Sequence, residues 1–274
     1  MRTAIVTLPL HTNYGGLLQA YALKTVLETM GHEVTVLDIK DKMPAPKGLK
    51  APFVYAGRAL KRLLKGSQGP EVFREKRYKK ELPVLSAETS AFVRTKINPR
   101  LIDSYHDIRE GEYDAFVVGS DQVWRPRYFH PIKDAYLAFT RGWDVKRVAY
   151  AASFGTDQLE YEFTQLEECA KLLEAFDGVS VREDSAVGLC EEWLDHEGAA
   201  HVLDPVMLLD PQAYADMASL AKAHPAEGKI LTYILDSSPE KTHVVDFMKS
   251  ITGYDSYDSS VHPYVNDRPV GERV

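Results

Sequence analysis

Apolar residues along this chain switch between two periods. Ala4–Leu8 is an apolar run of strand length, and Leu17–Met30 sets Leu17, Leu18, Tyr21, Val26, Leu27 and Met30 at helical spacing. Gly31-His32 ends that helix as a C-terminal glycine should, and Glu33–Ile39 returns to a strand, completing a βαβ unit. The alternation lapses over 41–112, where Pro44, Pro46, Pro52, Pro70 and two basic helical patches mark an insertion or connecting region. It resumes at Tyr113–Gly119, an almost unbroken apolar run suited to a strand covered on both faces, and continues in Arg147–Ala152. A helix follows near Gln158–Phe176, with Leu159, Phe163, Leu166, Ala170 and Leu173 at steps of four and three. Gly178–Val181 reads as a strand, Ser185–Leu194 as a helix and His201–Leu203 as a short strand, while Asp210-Pro211 opens a helix to about Ala223.

After the break at Pro225-Ala226-Glu227-Gly228, Lys229–Leu235 and Pro239–Thr252 supply one more strand and helix, and Gly253–Val274 reads as loop or tail. The pattern predicts an α/β protein with a boundary near 215–228. Residues 1–220 form a Rossmann-like parallel-sheet domain with a basic helical insertion at about 41–112, and 226–274 begin a second, incomplete domain.

Charge changes the picture at one place. The 274 residues carry a net charge of −7, but 42–80 hold twelve Lys or Arg against Glu71 and Glu75, a net +10 that leaves the remainder at −17. A solvated helical insertion is the preferred reading. A peripheral contact of 42–80 with an anionic membrane surface, or with a phosphorylated lipid carrier, is the alternative. No aromatic ladder accompanies the charge, which argues against nucleic acid. No apolar run approaches the roughly 20 residues that span a bilayer, and Met1-Arg2 leads straight into a strand, so a cytoplasmic location is expected. Cys169 and Cys190 lie in helical stretches without CxxC or Cys/His companions, so buried reduced thiols are expected and no metal site.

Candidate chemistry collects at the carboxyl ends of the strands, where open parallel sheets bind ligands. The first strand leads into Asn13-Tyr14-Gly15-Gly16, read as a glycine turn before a helix whose free N–H groups would welcome an anion. The later strand ends carry Gly119-Ser120-Asp121-Gln122, Ser153-Phe154-Gly155, Arg182-Glu183-Asp184 and Asp204-Pro205. Each has a plainer alternative: Ser120-Asp121 as a helix cap, Arg182 in a salt bridge with Glu183 or Asp184, Ser153-Phe154-Gly155 and Asp204-Pro205 as turns. His11 is read as a bystander. The motifs G-x-G-x-x-G, G-x-x-x-x-G-K-[ST], H-E-x-x-H and G-x-S-x-G are missing, which removes the sequence support for nicotinamide, P-loop, zinc-protease and esterase readings.

Five stretches in this order resemble the polysaccharide pyruvyl transferase family: Asn13–Leu23, Phe116–Trp124, Ser153–Gly155, Val179–Ser185 and Leu203–Leu209. The resemblance spans roughly 1–236. It implies a glycosyltransferase-B arrangement of two Rossmann-like domains and transfer of a pyruvyl group from phosphoenolpyruvate to a sugar of a cell-surface or exopolysaccharide as a ketal. Phosphoenolpyruvate serves as donor substrate, with no cofactor, and the acceptor is a sugar or polysaccharide, free or lipid-linked. By resemblance, Arg182 clamps the donor, while Asn13, Tyr14, Gly15, Gly16, Gln19, Ser120, Asp121, Gln122, Ser153 and Gly155 shape the cleft. The family's Ser-Phe-His-Gly-like segment, whose histidine acts as the acid, has no counterpart here, and His262 sits in a different context. The resemblance therefore leaves the catalytic residue unassigned and predicts a chain that is a fragment or is inactive by itself. Two further readings stay open: a nucleotide-sugar glycosyltransferase of shared fold, and a non-catalytic glycan-binding remnant.

Overall fold

The computed structural model describes residues 1–39, 46, 48, 51–65, 72–219, 229–234 and 238–258. In chain order the strands are β1 (Arg2–Val6), β2 (Glu33–Ile39), β3 (Arg100–Ile102), β4 (Ala115–Val118), β5 (Lys146–Ala152), β6 (Gly178–Val181), β7 (Ala200–His201), β8 (Lys229–Thr232) and β9 (Asp255–Asp258). The helices are α1 (Tyr14–Thr29), α2 (Ala51–Lys65), α3 (Arg74–Leu85), α4 (Ala87–Phe92), α5 (Phe163–Leu173), α6 (Ser185–Leu194), α7 (Pro211–Ser219) and α8 (Pro239–Thr252). They fall into two compact units, Met1–Lys42 with Glu88–Ala213 and Met43–Ala87 with Tyr214–Val274.

The first unit is built on a seven-stranded sheet in the order β3-β2-β1-β4-β5-β6-β7, every pair parallel. This is the Rossmann-like order expected from the alternating pattern, and its direction reverses between β1 and β4. In-register pairing puts Ile5 beside Val36 and Val117, and the two-residue period divides the apolar side chains between the faces. One face buries Ile5, Val36 and Val117 under Leu17, Ala20 and Leu23 of α1 and Ile97. The other buries Val6, Leu37, Phe116, Val118 and Val181 under α5, α6 and the aromatic segment around Trp124, Tyr136 and Phe139. Trp124 stacks on Tyr136 at 5.0 Å and its indole N–H reaches the Ala135 carbonyl at 3.2 Å. Cys169 and Cys190 are buried and unbridged, as expected.

Several boundaries differ from the sequence reading. The glycine pair is not a turn: Asn13 is the N-cap of α1, its Oδ1 accepting the Gly16 N–H at 3.2 Å, and Gly15-Gly16 lie inside the first helical turn. The helix starts there because the cap satisfies a free donor, which outweighs the weak helical preference of glycine. β3 joins the sheet from within 41–112, a three-residue strand too short to show a period. β9 occupies Asp255–Asp258, where a loop or tail was predicted; its Asp-Ser-Tyr-Asp sequence has no apolar alternation.

The second unit holds a βαβ unit in which β8 and β9 pair in parallel around α8. Ser238 caps α8, Pro239 follows at its first position, and Gly253 at φ 73° closes it. α2 and α3 belong to the same unit and are joined by Arg58, whose Nη1 donates to Glu75 Oε1 and Oε2 at 2.8 and 3.0 Å. His262, Lys42, Lys47, Lys50 and the Pro225–Gly228 break lie outside the described residues. No helix among the described residues is long and apolar enough to cross a membrane.

Candidate functional site

The carboxyl ends of β1, β4, β5, β6 and β7 meet in one hydrogen-bonded rim. Its centre is Gln19, a polar side chain on the inward face of α1 that is only 2% exposed. Its Nε2 donates to Thr7 Oγ1 at 3.0 Å and to the Gly16 carbonyl at 2.9 Å, and its Oε1 accepts the Ser120 N–H at 2.8 Å. One side chain thus ties the exit of β1, the start of α1 and the exit of β4. Ser120 is fully buried, and its hydroxyl donates to the Ala151 carbonyl at 2.9 Å.

That carbonyl is available because β5 bulges. Its register with β6 shifts between Ala149 and Ala152, and Ala151 adopts a φ of 49°. Ser180 fills the gap in the ladder, accepting the Ala151 N–H at 3.2 Å and donating to the Ala149 carbonyl at 3.0 Å. A bulge that re-aims a strand end beside a site is a recurrent device. Two glycines are required here by space. At Gly119, φ 129°, a Cβ would lie 2.1 Å from the Tyr150 carbonyl oxygen; at Gly155, φ 69°, it would lie 2.1 Å from Gln122 Oε1. Gln122 Oε1 also accepts from Arg125 Nη1 at 2.9 Å, and Gly155 donates its N–H to Ser153 Oγ at 2.9 Å.

On this frame sits one guanidinium among three carboxylates. Arg182 Nη1 is 3.2 Å from Asp204 Oδ2 and 3.8 Å from Asp121 Oδ1, and Nε donates to Glu183 Oε1 at 3.2 Å. Nη2 makes no hydrogen bond among the described residues. Ser153 Oγ donates to Glu183 Oε1 at 2.7 Å, and the other oxygen, Oε2, is shielded from solvent with no hydrogen-bond partner among the described residues. Asp204 does two jobs: Oδ1 accepts the Val206 N–H at 2.9 Å, while Oδ2 faces Arg182 and lies 3.5 Å from Ser120 Oγ. Burial raises the Asp121 pKa above the ordinary carboxylate value; the Gln122 N–H and Arg182 oppose the rise, and Asp204 and Glu183 add to it. Burial pulls the Arg182 pKa down, but Glu183, Asp204 and Asp121 more than offset it, so the guanidinium is held charged.

The sequence-derived candidates separate into two groups. Gln19, Ser120 and Ser153 are buried and spent on internal hydrogen bonds, so they build the rim. Asn13, Tyr14 and Gly15 are exposed, Gly16, Asp121, Gln122 and Arg182 partly so, and Gly155 is exposed, so these are the ones within reach of a ligand. Gly16 packs close to this edge, since a Cβ there would lie 3.4 Å from Asp121 Oδ2. Asp204 and Glu183, read as turn and ion-pair residues, join the cluster, and Gly119 supplies its closest backbone approach. The one sequence signal for Asp204 is its place at a strand's carboxyl end. His11 makes no hydrogen bond with the rim among the described residues; its Nδ1 accepts the Thr12 N–H at 2.8 Å. In the same unit a cavity of about 520 Å³ lies along His130–Lys133 and Glu168, and the second unit has one of about 600 Å³ beside Tyr55 and Phe73.

Fold and rim together define an α/β protein of Rossmann-like order whose polar groups gather at the carboxyl edge of a parallel sheet. The family model described as polysaccharide pyruvyl transferase matches residues 13–265. The chain belongs to the polysaccharide pyruvyl transferase family, and so to the transferases. The family implies a polysaccharide acceptor. No curated protein matches the chain.

Proposed function

We propose that the protein transfers the pyruvyl group of phosphoenolpyruvate to two hydroxyls of one sugar in a cell-surface or exopolysaccharide, leaving a ketal and inorganic phosphate. The observation that carries this reading is the meeting of Asp121, Arg182, Glu183 and Asp204 at one rim beside the N-terminus of α1. Carboxylate oxygens accept hydrogen bonds from sugar hydroxyls, and a guanidinium with a spare edge suits a carboxylate or phosphate. Arg182 therefore clamps the donor through Nη2, and Asn13, Tyr14, Gly15 and Asp121 form the acceptor side. In the reaction the methylene carbon of the donor takes a proton from solvent and the first sugar oxygen bonds to the central carbon, releasing its own proton. Asp121 takes that proton in this reading, which its raised pKa supports. The second hydroxyl then displaces phosphate, which departs with the remaining proton.

In this reading 1–220, with the insertion at about 41–112, form the first half of a glycosyltransferase-B arrangement and 226–274 open the second. The protein works in the cytoplasm on a free or lipid-linked acceptor. Incubation of the protein with phosphoenolpyruvate and a panel of polysaccharide repeat units tests the reading. Phosphate release with a new ketal methyl signal in the NMR spectrum is the expected result, and Arg182→Lys should raise KM for the donor more than it lowers kcat. No phosphate release across the panel, or calorimetric binding of nucleotide sugars in place of phosphoenolpyruvate, overturns it.

A further inference from the structure

α2 combines a bare apolar face with an exclusively basic set of charges. At about 100° per residue, Phe53, Ala56, Gly57, Leu60, Leu63 and Leu64 fall within an arc of about 120°. Phe53, Leu60, Leu63 and Leu64 are 80%, 58%, 82% and 77% exposed. The helix is held from its other side: the Tyr55 ring lies 5.2 Å from Phe73, and Arg58 is paired with the buried Glu75. The outward arc is therefore free of the contacts that anchor α2 to α3. Lys61 borders the arc and is exposed, Arg62 lies on the side of Tyr55 and Phe73, and α2 contains Arg58 and Lys65 but no Asp or Glu.

The geometry points to α2 as a membrane-surface helix that lies in the plane of an anionic bilayer, with Phe53, Leu60, Leu63 and Leu64 in the acyl boundary and Lys61 at the headgroups. Charge selects this occupant. The stretch 42–80 carries twelve Lys or Arg against two Glu, the complement of an anionic lipid surface. α8 gives the contrast: it too exposes Val244, Phe247 and Ile251, but Glu240 and Asp246 balance Lys241 and Lys249, so it has no such complement. At 15 residues α2 is about 22 Å long, suited to lying in an interface. The inference stands on α2 itself and holds whether or not the pyruvyl-transfer reading does.

The test is co-sedimentation of the full chain with vesicles of phosphatidylcholine alone or of phosphatidylcholine with phosphatidylglycerol. Wild-type protein should pellet with the anionic vesicles, weakly with the neutral ones, and less as salt is raised. Leu60→Glu/Leu64→Glu should abolish pelleting with an unchanged far-ultraviolet circular dichroism spectrum, because both positions are exposed. Lys61→Gln should weaken it about fivefold, the effect of one charge at the surface. Turnover on a water-soluble acceptor should be the same in the Leu60→Glu/Leu64→Glu variant. Failure of wild type to bind anionic vesicles, equal binding by Leu60→Glu/Leu64→Glu, or a wild-type dimer that this variant dissolves would overturn the inference.

Discussion

Gln19→Leu is the sharpest probe of how the rim is built. Leucine keeps roughly the volume and the helical preference of glutamine but removes all three of its hydrogen bonds. The largest loss falls on Ser120, whose N–H sits in a fully buried residue and depends on Gln19 Oε1 at 2.8 Å. An orphaned buried donor costs about 1–3 kcal/mol. Thr7 Oγ1, also buried, loses the Nε2 donor at 3.0 Å, worth about 1 kcal/mol. The Gly16 carbonyl is the least affected, because it also faces the next turn of α1. The expected total is about 2–4 kcal/mol, or about 5–15 °C in melting temperature for the folded unit. Thr7→Val should cost about 1 kcal/mol, since Nε2 of Gln19 then keeps the Gly16 carbonyl. Urea denaturation and thermal melting of the two variants beside wild type give the comparison. A Gln19→Leu midpoint coincident with wild type, or a larger loss for Thr7→Val, would refute the reasoning.

Gly119→Ala should cost about 3 kcal/mol or more, because its Cβ would meet the Tyr150 backbone oxygen at 2.1 Å, whereas Gly155→Ala should cost about 1–2 kcal/mol, because Gln122 can swing aside. Melting temperatures should keep that order, and the reverse order would sink the steric account. Asp121→Asn should stabilise the protein near neutral pH while removing transfer. A carboxyl whose folded pKa is raised contributes fully below its ordinary pKa of about 3.9 and loses that contribution as pH rises through the raised value. The two melting curves should therefore meet at the acid end and part above it; an advantage largest in acid would contradict the sign. Cys169 and Cys190, each pushed up to about 12 by burial, should resist a thiol reagent in the folded protein at mildly alkaline pH and react as two equivalents in denaturant. Rapid labelling of either in the folded state would count against their burial.

Much of the fold is legible in the sequence because a parallel sheet covered on both faces demands continuous apolar strands and amphipathic helices, and those periods are written in the chain. β2, β6, α6 and α8 fall where their patterns place them. Short elements such as β3 and β9 carry too few residues to show a period, and their strand character comes from the neighbour they pair with. The motif ends of the strands are equally legible as a set, since Asn13–Gly16, Ser120–Gln122, Ser153–Gly155 and Arg182 are polar or glycine breaks after apolar runs.

The sequence by itself determined the α/β class, the family and which strand ends carry polar groups, because periodicity and ordered motifs are local properties of the chain. Tertiary structure alone decided what those groups do to one another. Gln19 and Ser120 are separated by 101 residues and Arg182 and Asp204 by 22, yet each pair bonds directly. The β5 bulge that frees the Ala151 carbonyl, the 2.1 Å approach that makes Gly119 obligatory and the burial that raises Asp121 all arise from neighbouring strands. Hydrogen bonding, steric fit and desolvation depend on distances across the sheet, and spacing along the chain does not encode those distances.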